Sequence, residues 1–289
     1  MSEKVKTIIS ILIILVILPY IITYALQGNV MFDIGQNESQ DGSEDEEQTE
    51  ILAGILAGQI AMNAPKEALR AQAVLVRTEY MRRQSTGEQQ EQSLTMEEMA
   101  SLWGSKDLQT NYETAKAAVM DTVGEVLTYE GAPIMTAYHK VSAGSTRVAE
   151  NLNGDETPYL ASVTCGMDIT SPDYLTVRFF SKKEFAEALG LSTDVDLSIT
   201  AVDRDDAGYV KTVQIGDKSF SGDEIRSLLE LPSPCFYIKE VEEKMRIVVK
   251  GKGHGIGMSQ YAASKQAEDG ATHEEILNYF FPGTVLEKI

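Results

Sequence analysis

The glycine-rich stretch around His254 gathers more chemically useful groups than any other part of the sequence. Residues 250–263 read Lys-Gly-Lys-Gly-His-Gly-Ile-Gly-Met-Ser-Gln-Tyr-Ala-Ala, so four glycines alternate with other residues before Ser259 and Gln260. Glycine permits positive φ and lets a ligand approach the backbone closely. The spacing matches neither the dinucleotide-binding pattern G-x-G-x-x-G nor the phosphate loop. The alternative to a binding loop is a tight turn with a solvated histidine.

Two regular elements must hold this loop. Met245, Ile247 and Val249 alternate with charged residues, which predicts a strand before the glycines. The alanine-rich run after Gln260 predicts a helix. The order is therefore strand, loop, helix, and a loop that opens a helix directs free N–H groups at whatever lies there.

A second helix is predicted to begin near Pro65. Proline suits the first helical turn, and Glu67 is favoured at the positive end of the helix dipole. Leu69, Ala73, Val76 and Tyr80 recur at helical spacing, so one face packs inward. Arg77 lies one residue from that face, and its residue type alone indicates only a surface arginine.

These stretches carry a resemblance to a known family. Gly-His-Gly-Ile-Gly-Met-Ser-Gln-Tyr-Ala resembles the C-terminal signature of the stage II sporulation protein D family, which also includes amidase-enhancer proteins. Glu67–Ala73 with Arg77 is similar to the helix that follows the family's catalytic position. A third match is Tyr138-His139 with Ser142, Gly144 and Thr146, followed by residues 158–163. The three stretches keep the family's order, and the resemblance covers roughly residues 50–281.

The resemblance implies where a glycan would bind and what chemistry would follow. The positions expected in a substrate cleft are Arg77, His139, Ser142, Thr146, His254, Gly255, Ser259 and Gln260. For His139 a surface position is an equal alternative. Family members that cut cell-wall glycan resemble lytic transglycosylases, which need one carboxylic acid. It protonates the glycosidic oxygen and then, as carboxylate, helps the muramyl 6-hydroxyl attack the anomeric carbon, whereas ordinary glycoside hydrolysis uses two carboxylates and water.

The expected acid is missing from its place. The family glutamate lies in an Ala-Ser-Glu-Met-Pro segment, and without gaps the matching residue here is Gln59 within Ala57–Ala61. A glutamine amide has no proton to give near neutral pH. Three explanations stay open: a binding or scaffolding protein that no longer cuts, a replacement acid at Glu67 or Glu79, or a different register.

The family relationship also implies a biological setting. It suggests a protein that remodels peptidoglycan of the septal wall during engulfment in endospore formation. The implied partners are a cell-wall amidase of the stage II sporulation protein P type and a membrane protein that recruits both. The alternative is a non-enzymatic amidase enhancer or glycan-binding adaptor. No cofactor is expected. No metal is expected either, because no cysteine closely follows His139 as in zinc-holding relatives.

Composition sets the remaining limits. The chain has 289 residues and a net charge of −19, which disfavours nucleic-acid binding. Residues 7–26 carry no charge and are long enough to cross a bilayer, and the preceding lysines place residues 1–6 in the cytoplasm. A cleaved signal peptide is the rival interpretation. Residues 27–49 are predicted as an acidic linker and 50–289 as an outward-facing domain.

The periodicity predicts an α+β domain of mixed helices and short strands around a cleft, preceded by one transmembrane helix. Glu130-Gly131 marks a hairpin turn, and Ser221 to Glu224 is a capping box. Ser85 to Glu98 is predicted as a polar loop. The two cysteines, Cys165 and Cys235, are buried thiols or one disulfide.

Overall fold

A computed structural model describes residues 41–149, 157–192 and 196–289. The chain divides into two units, residues 1–44 and 45–289, and the second holds the candidate site. The predicted anchor at 7–26 lies outside the described residues. Within the part of the chain that is described, no helix is both long and apolar enough to cross a membrane.

The described residues form helices and short strands in mixed order, which confirms the α+β prediction. The helices are α1 (Asp41–Gln59), α2 (Lys66–Thr86), α3 (Met96–Trp103), α4 (Leu108–Asp121), α5 (Lys182–Ala188), α6 (Gly222–Leu228), α7 (Gln260–Glu268) and α8 (His273–Phe280). The strands are β1 (Glu125–Tyr129), β2 (Ala132–Pro133), β3 (Tyr138–His139), β4 (Leu175–Ser181), β5 (Ile199–Arg204), β6 (Val210–Ile215), β7 (Lys218–Ser221), β8 (Phe236–Val241), β9 (Lys244–Lys250), β10 (Met258–Ser259) and β11 (Val285–Lys288). A short 3₁₀ helix spans Gly166–Thr170.

Two boundaries differ from the sequence-based expectation. Helix α1 begins at Asp41, inside the segment predicted as linker, because acidic residues favour the first turns of a helix that continues into an apolar run. Helix α3 begins inside the predicted 85–98 loop. Its start is a capping box in which Thr95 and Glu98 exchange side-chain-to-backbone hydrogen bonds.

Helix α2 is the element shared by two apolar clusters. Leu69, Ala73 and Val76 pack with residues of α1 and α4. Ala71, Val74 and Leu75, on the remaining faces, pack with β1, α7 and α8. Because both faces of α2 are buried, the helix holds the side chains that point toward α1 and α7 in fixed positions.

Four small sheets complete the part of the fold that the structure describes. In the first, β1 lies between β11 and β2, with antiparallel pairing and the predicted Glu130-Gly131 turn. Strands β3 and β10 pair in parallel, with Tyr138 opposite Met258 and His139 opposite Ser259. The other sheets run β4-β9-β8 and β5-β6-β7, all antiparallel. These last two sheets cover a third apolar cluster with α5 and α6.

The glycine loop joins β9 to β10 and α7, as predicted. Ser259 caps α7 by accepting a hydrogen bond from the Ala262 N–H. The parallel pairing of β10 with β3 brings the end of this loop beside Tyr138 and His139. Residues more than a hundred positions apart thus meet at the start of α7.

Candidate functional site

Gln59 ends α1 and lies in a cluster of three glutamines, here called the amide cluster: Gln59, Gln72 and Gln260. Gln72 Nε2 donates to Gln59 Oε1 at 2.8 Å. Gln260 Nε2 donates to the Gln59 backbone carbonyl at 2.9 Å and to Gln72 Oε1 at 3.2 Å. Gln72 and Gln260 are buried and Gln59 is half-buried. Helices α1, α2 and α7 therefore meet through these amides.

A carboxylate that sequence reasoning missed completes this arrangement. Gln59 Nε2 donates to Glu91 Oε2 at 2.6 Å. Glu91 also contacts Arg83 Nη2 at 3.3 Å, and its side chain is 34% exposed. Burial, and then the nearby charge of Glu91, raise the pKa of Tyr138 to about 12. The amide cluster, Glu91 and Tyr138 are called the Gln59 site below.

Gly54 of α1 allows the chain segment 88–94 to lie against this helix. The Leu94 N–H donates to the Gly54 carbonyl at 3.3 Å. A Cβ atom on Gly54 would stand 2.1 Å from Ser93 Oγ, so no larger residue fits without a shift. A Cβ atom on Gly58 would lie 3.5 Å from Leu94 Cδ1, an ordinary contact, so that position does not require glycine. This packing brings Glu91 beside Gln59, and no pattern in the local sequence indicates it.

The two acids considered as replacements are held elsewhere. Glu67 accepts hydrogen bonds from Arg70 at 2.8 Å and from the His273 backbone N–H at 2.9 Å. Burial works to raise the pKa of Glu67, but the hydrogen bonds from His273 and Arg70 outweigh it and lower that pKa. A lowered pKa favours the carboxylate, which cannot donate a proton.

Glu79 is likewise held by internal hydrogen bonds. It is buried and accepts hydrogen bonds from Arg82, Arg83 and the Thr136 N–H. Burial again works to raise the pKa of Glu79, and the hydrogen bonds from both arginines and Thr136 lower it overall. The geometry thus argues against either glutamate as the general acid.

The two histidines of the candidate site lie side by side, with ring centroids 5.9 Å apart. His139 Nδ1 is 3.1 Å from the Ile256 carbonyl, which can only accept, so this nitrogen carries the proton of the neutral ring. His254 Nδ1 instead accepts from the Ile256 N–H at 3.0 Å. Burial lowers the pKa of His139 to about 3 and also lowers that of His254. Both rings are therefore neutral and stabilise the bend of the glycine loop.

Ser142 and Ser259 meet at Asp168, a second residue that sequence reasoning missed. Asp168 Oδ2 accepts from the Ser142 N–H at 2.7 Å and from Ser259 Oγ at 2.8 Å. Asp168 is fully buried, and that burial raises its pKa despite the hydrogen bonds. The carboxyl joins the 3₁₀ helix to the residues after β3 and to the start of α7. Ser142 and Ser259 thus bind a buried carboxylate and hold these three segments together.

Arg77 and Thr146 also make internal contacts. Arg77 Nη1 and Nη2 donate to the carbonyls of Thr122 at 2.5 Å and Val119 at 2.7 Å, which end α4. Burial lowers the pKa of Arg77 to about 10. Thr146 Oγ1 donates to the Ala161 carbonyl and accepts from an N–H of the same segment. These two residues support the fold around the Gln59 site.

Gly255 is required by space and by conformation. Its φ is +85°, and an added Cβ would lie 2.4 Å from Tyr209 Cζ. The Gly255 carbonyl accepts from the Arg147 N–H at 2.8 Å. Arg147 also lies over the Tyr209 ring, 5.4 Å from its centroid. The glycine loop is thereby pressed against the β5-β6-β7 part of the domain.

A cavity of about 490 Å³ borders this part of the glycine loop. Its lining includes Ile256, Arg147 and Asp223. The two charged residues pair at 3.1 Å. The loop thus borders this cavity through Ile256, while Gln260, just after the loop, reaches Gln59.

Among the described residues, no group of three or more His, Cys, Asp and Glu side chains is placed to hold a metal ion. Cys165 and Cys235 are buried, unpaired thiols, which settles the alternative in favour of buried thiols. Burial raises the pKa of Cys165 to about 12 and that of Cys235 above its usual value.

Comparison with known proteins places these features in a family context. The family model for the Stage II sporulation protein, SpoIID, matches residues 36–129, which include Gln59 and Glu91. Stage II sporulation protein D of Bacillus subtilis is 33% identical over 196 residues, covering 66% of this chain and 56% of that protein. The Bacillus amyloliquefaciens protein of the same name is 39% identical over 184 residues, covering 63% and 53%. The amidase enhancer of Bacillus subtilis is 26% identical over 278 residues, covering 76% and 38%. The chain spans about half the length of its two sporulation relatives.

Proposed function

Because the chain belongs to the stage II sporulation protein D family, we propose that residues 45–289 bind the glycan strands of peptidoglycan and cut them poorly or not at all. The observation that carries this proposal is the amide of Gln59 at the family's acid position. The amide is fixed by Gln72 and donates to Glu91. It therefore has no proton to give to a leaving oxygen, and its hydrogen bonds hold the site in a fixed arrangement.

The chemistry of the site supports binding more than cleavage. General acid–base catalysis contributes about 10²- to 10⁴-fold in rate, and one residue would have both acid and base roles in a transglycosylase. The nearest carboxyl, Glu91, accepts from Gln59 on one oxygen and from Arg83 on the other, so both oxygens are held by internal donors.

The proposal includes a location and partners. Residues 7–26 would anchor the chain once in the cell membrane, with residues 1–6 in the cytoplasm and the domain outside. A cell-wall amidase of the stage II sporulation protein P type and a recruiting membrane protein would act with it. An amidase that strips peptides from the wall would supply the bare glycan that the Gln59 site would bind.

A second function is favoured by a separate observation. The similarity to the amidase enhancer covers more of this chain, 76%, than the similarity to either sporulation relative. The chain would then stimulate an amidase through protein contact and without using the Gln59 site. Substitutions at Gln59 and Gln260 would leave that stimulation unchanged, whereas they would weaken glycan binding.

The deciding experiment uses the full chain in mild detergent, mixed with peptide-free glycan strands. Co-sedimentation measures binding, and mass spectrometry counts 1,6-anhydromuramyl ends. We expect binding without new ends, and a Gln260→Ala variant that binds several-fold more weakly. New ends formed by the native chain would refute the non-cutting part, and no binding at all would leave the amidase-enhancer function.

A further inference from the structure

Glu91 is the charged group at the Gln59 site that still has capacity to bind a ligand. A carboxylate offers about four lone-pair positions. The structure uses one of them for Gln59 at 2.6 Å and a longer one for Arg83 at 3.3 Å. The side chain is 34% exposed, so its remaining acceptor positions reach solvent.

The glutamine amides have less to offer. Gln59 directs its N–H to Glu91 and its carbonyl oxygen to Gln72. Gln260 spends its N–H groups on Gln59 and Gln72 and is buried. The amide cluster is thus largely self-satisfied. The acceptor strength left at the surface of the site belongs to Glu91.

We propose that Glu91 is the ligand-binding carboxylate of this site. It accepts hydrogen bonds from the hydroxyl and acetamido N–H groups of an N-acetylated glycan. The inference rests on the proposed glycan-binding function and assigns it a residue. A sugar supplies many O–H donors and a carboxylate supplies none, so the two are complementary. Hydrogen bonds to a charged group are about twice as strong as neutral ones.

The surroundings hold Glu91 ready for this role. At one end of the 88–94 segment, Glu88 binds Arg82 at 2.8 Å. Arg82 and its neighbour Arg83 are in turn held by Glu79 of α2. The Gly54 contact holds the other end through the Leu94 N–H. A carboxylate fixed at both ends of its segment loses little conformational freedom on binding. Tyr138 is half-buried and close enough for the Glu91 charge to contribute to the rise of the Tyr138 pKa.

The alternative is that Glu91 only fixes its own segment through Arg83. Glu88 provides a matched control because it lies three positions earlier in the same segment, binds Arg82, and is exposed. Glu91→Gln and Glu88→Gln each remove one charge and keep the side-chain shape. Neither change introduces bulk, so both variants are expected to fold.

The test is isothermal titration calorimetry of the full chain with peptide-free glycan strands of defined length, at one salt concentration. Losing a charge-assisted hydrogen bond predicts that Glu91→Gln binds about 10- to 100-fold more weakly. Glu88→Gln is expected to stay within about 2-fold of the native chain, since exposed ion pairs contribute little.

Each outcome decides the inference. Equal affinity of Glu91→Gln and the native chain would show that Glu91 does not touch glycan, while the proposed function would stand. Equal weakening by both variants would assign the effect to the segment's structure and would overturn the inference as well. A native chain that does not bind glycan would refute the proposed function itself, and this inference with it.

Discussion

Replacing Gln59 with glutamate should return the missing proton donor to the site. The new carboxyl would occupy the place of an amide whose Nε2 is 2.6 Å from Glu91 Oε2. Two carboxylates at that separation cannot both stay ionised without cost, so the pair shares one proton. The shared proton is the donor that cleavage requires, and no other residue has to move.

The size of the expected change follows from the gain in acid–base catalysis and from the repulsion between the two carboxylates. A general acid–base residue supplies about 10²- to 10⁴-fold in rate, or about 3–5 kcal/mol of barrier. Like charges about 4 Å apart repel by about 1–4 kcal/mol in the range from water to a protein surface. The folded state therefore holds one proton of the pair to higher pH than the unfolded chain does. Stability of the variant relative to the native chain is retained at low pH and falls as pH rises and that proton is lost. Cleavage should fall in the same direction.

The assay counts 1,6-anhydromuramyl ends by mass spectrometry after incubation of Gln59→Glu with peptide-free strands between pH 5 and 8. Thermal unfolding over the same range reports the stability change. The native chain is the control for background ends, and the double variant Gln59→Glu with Glu91→Gln tests the shared proton, since its activity should lose the predicted fall with pH. A Gln59→Glu protein that binds strands normally yet forms no ends at any pH would refute the idea that only the acid is missing.

Three further predictions concern the supports of the site. Gly255→Ala should unfold at a lower temperature than Gly270→Ala, because both have positive φ but only Gly255 would meet the Tyr209 ring; equal melting temperatures would contradict this. Arg77→Met should lower the free energy of unfolding, measured by chemical denaturation, by about 3–5 kcal/mol, because the carbonyls at the end of α4 lose their donors. The glycan affinity of each folded molecule should stay unchanged, and a loss of affinity without a loss of stability would instead favour a binding role for Arg77. Because the pKa of His139 in the folded chain is about 3, only the unfolded chain binds a proton at this residue between pH 6.5 and 5. The free energy of unfolding should therefore drop by up to about 1.4 kcal/mol for each pH unit in this range. A His139→Leu variant should show a smaller dependence of this free energy on pH, and an unchanged dependence would refute the lowered pKa of His139.

Local signals predicted the local parts of the fold. The Ser221 to Glu224 capping box forms as expected because the contact spans a single turn. The strand, glycine loop and helix at residues 245–268 follow from alternation and from glycine's conformational freedom. The prediction of a loop over residues 85–98 is wrong for the start of α3, because the many polar residues there obscure the capping signal at Thr95.

The site itself depends on contacts that local patterns cannot indicate. Gln260 reaches Gln59 across 201 positions, and only the packing of α7 on α2 makes this contact. Asp168 was missed because its partners, Ser142 and Ser259, lie 26 and 91 positions away. The family resemblance implies that Ser142 and Ser259 lie at a substrate cleft, and the structure shows that the Ser142 N–H and the Ser259 hydroxyl donate to the buried Asp168 carboxylate.

Gln59 and Glu91 are best understood as a matched pair. An amide can donate to a carboxylate, whereas a glutamate at position 59 would repel it or compete for its proton. The glutamine therefore does more than lack an acid proton, because its amide holds the Glu91 carboxyl in place at the surface of the site. An ionised carboxylate is a good acceptor for sugar donors and a poor proton source. Under the proposed function, glutamine at position 59 thus favours binding over cutting in two ways, because it supplies no acid and because it holds a neighbouring carboxyl in place.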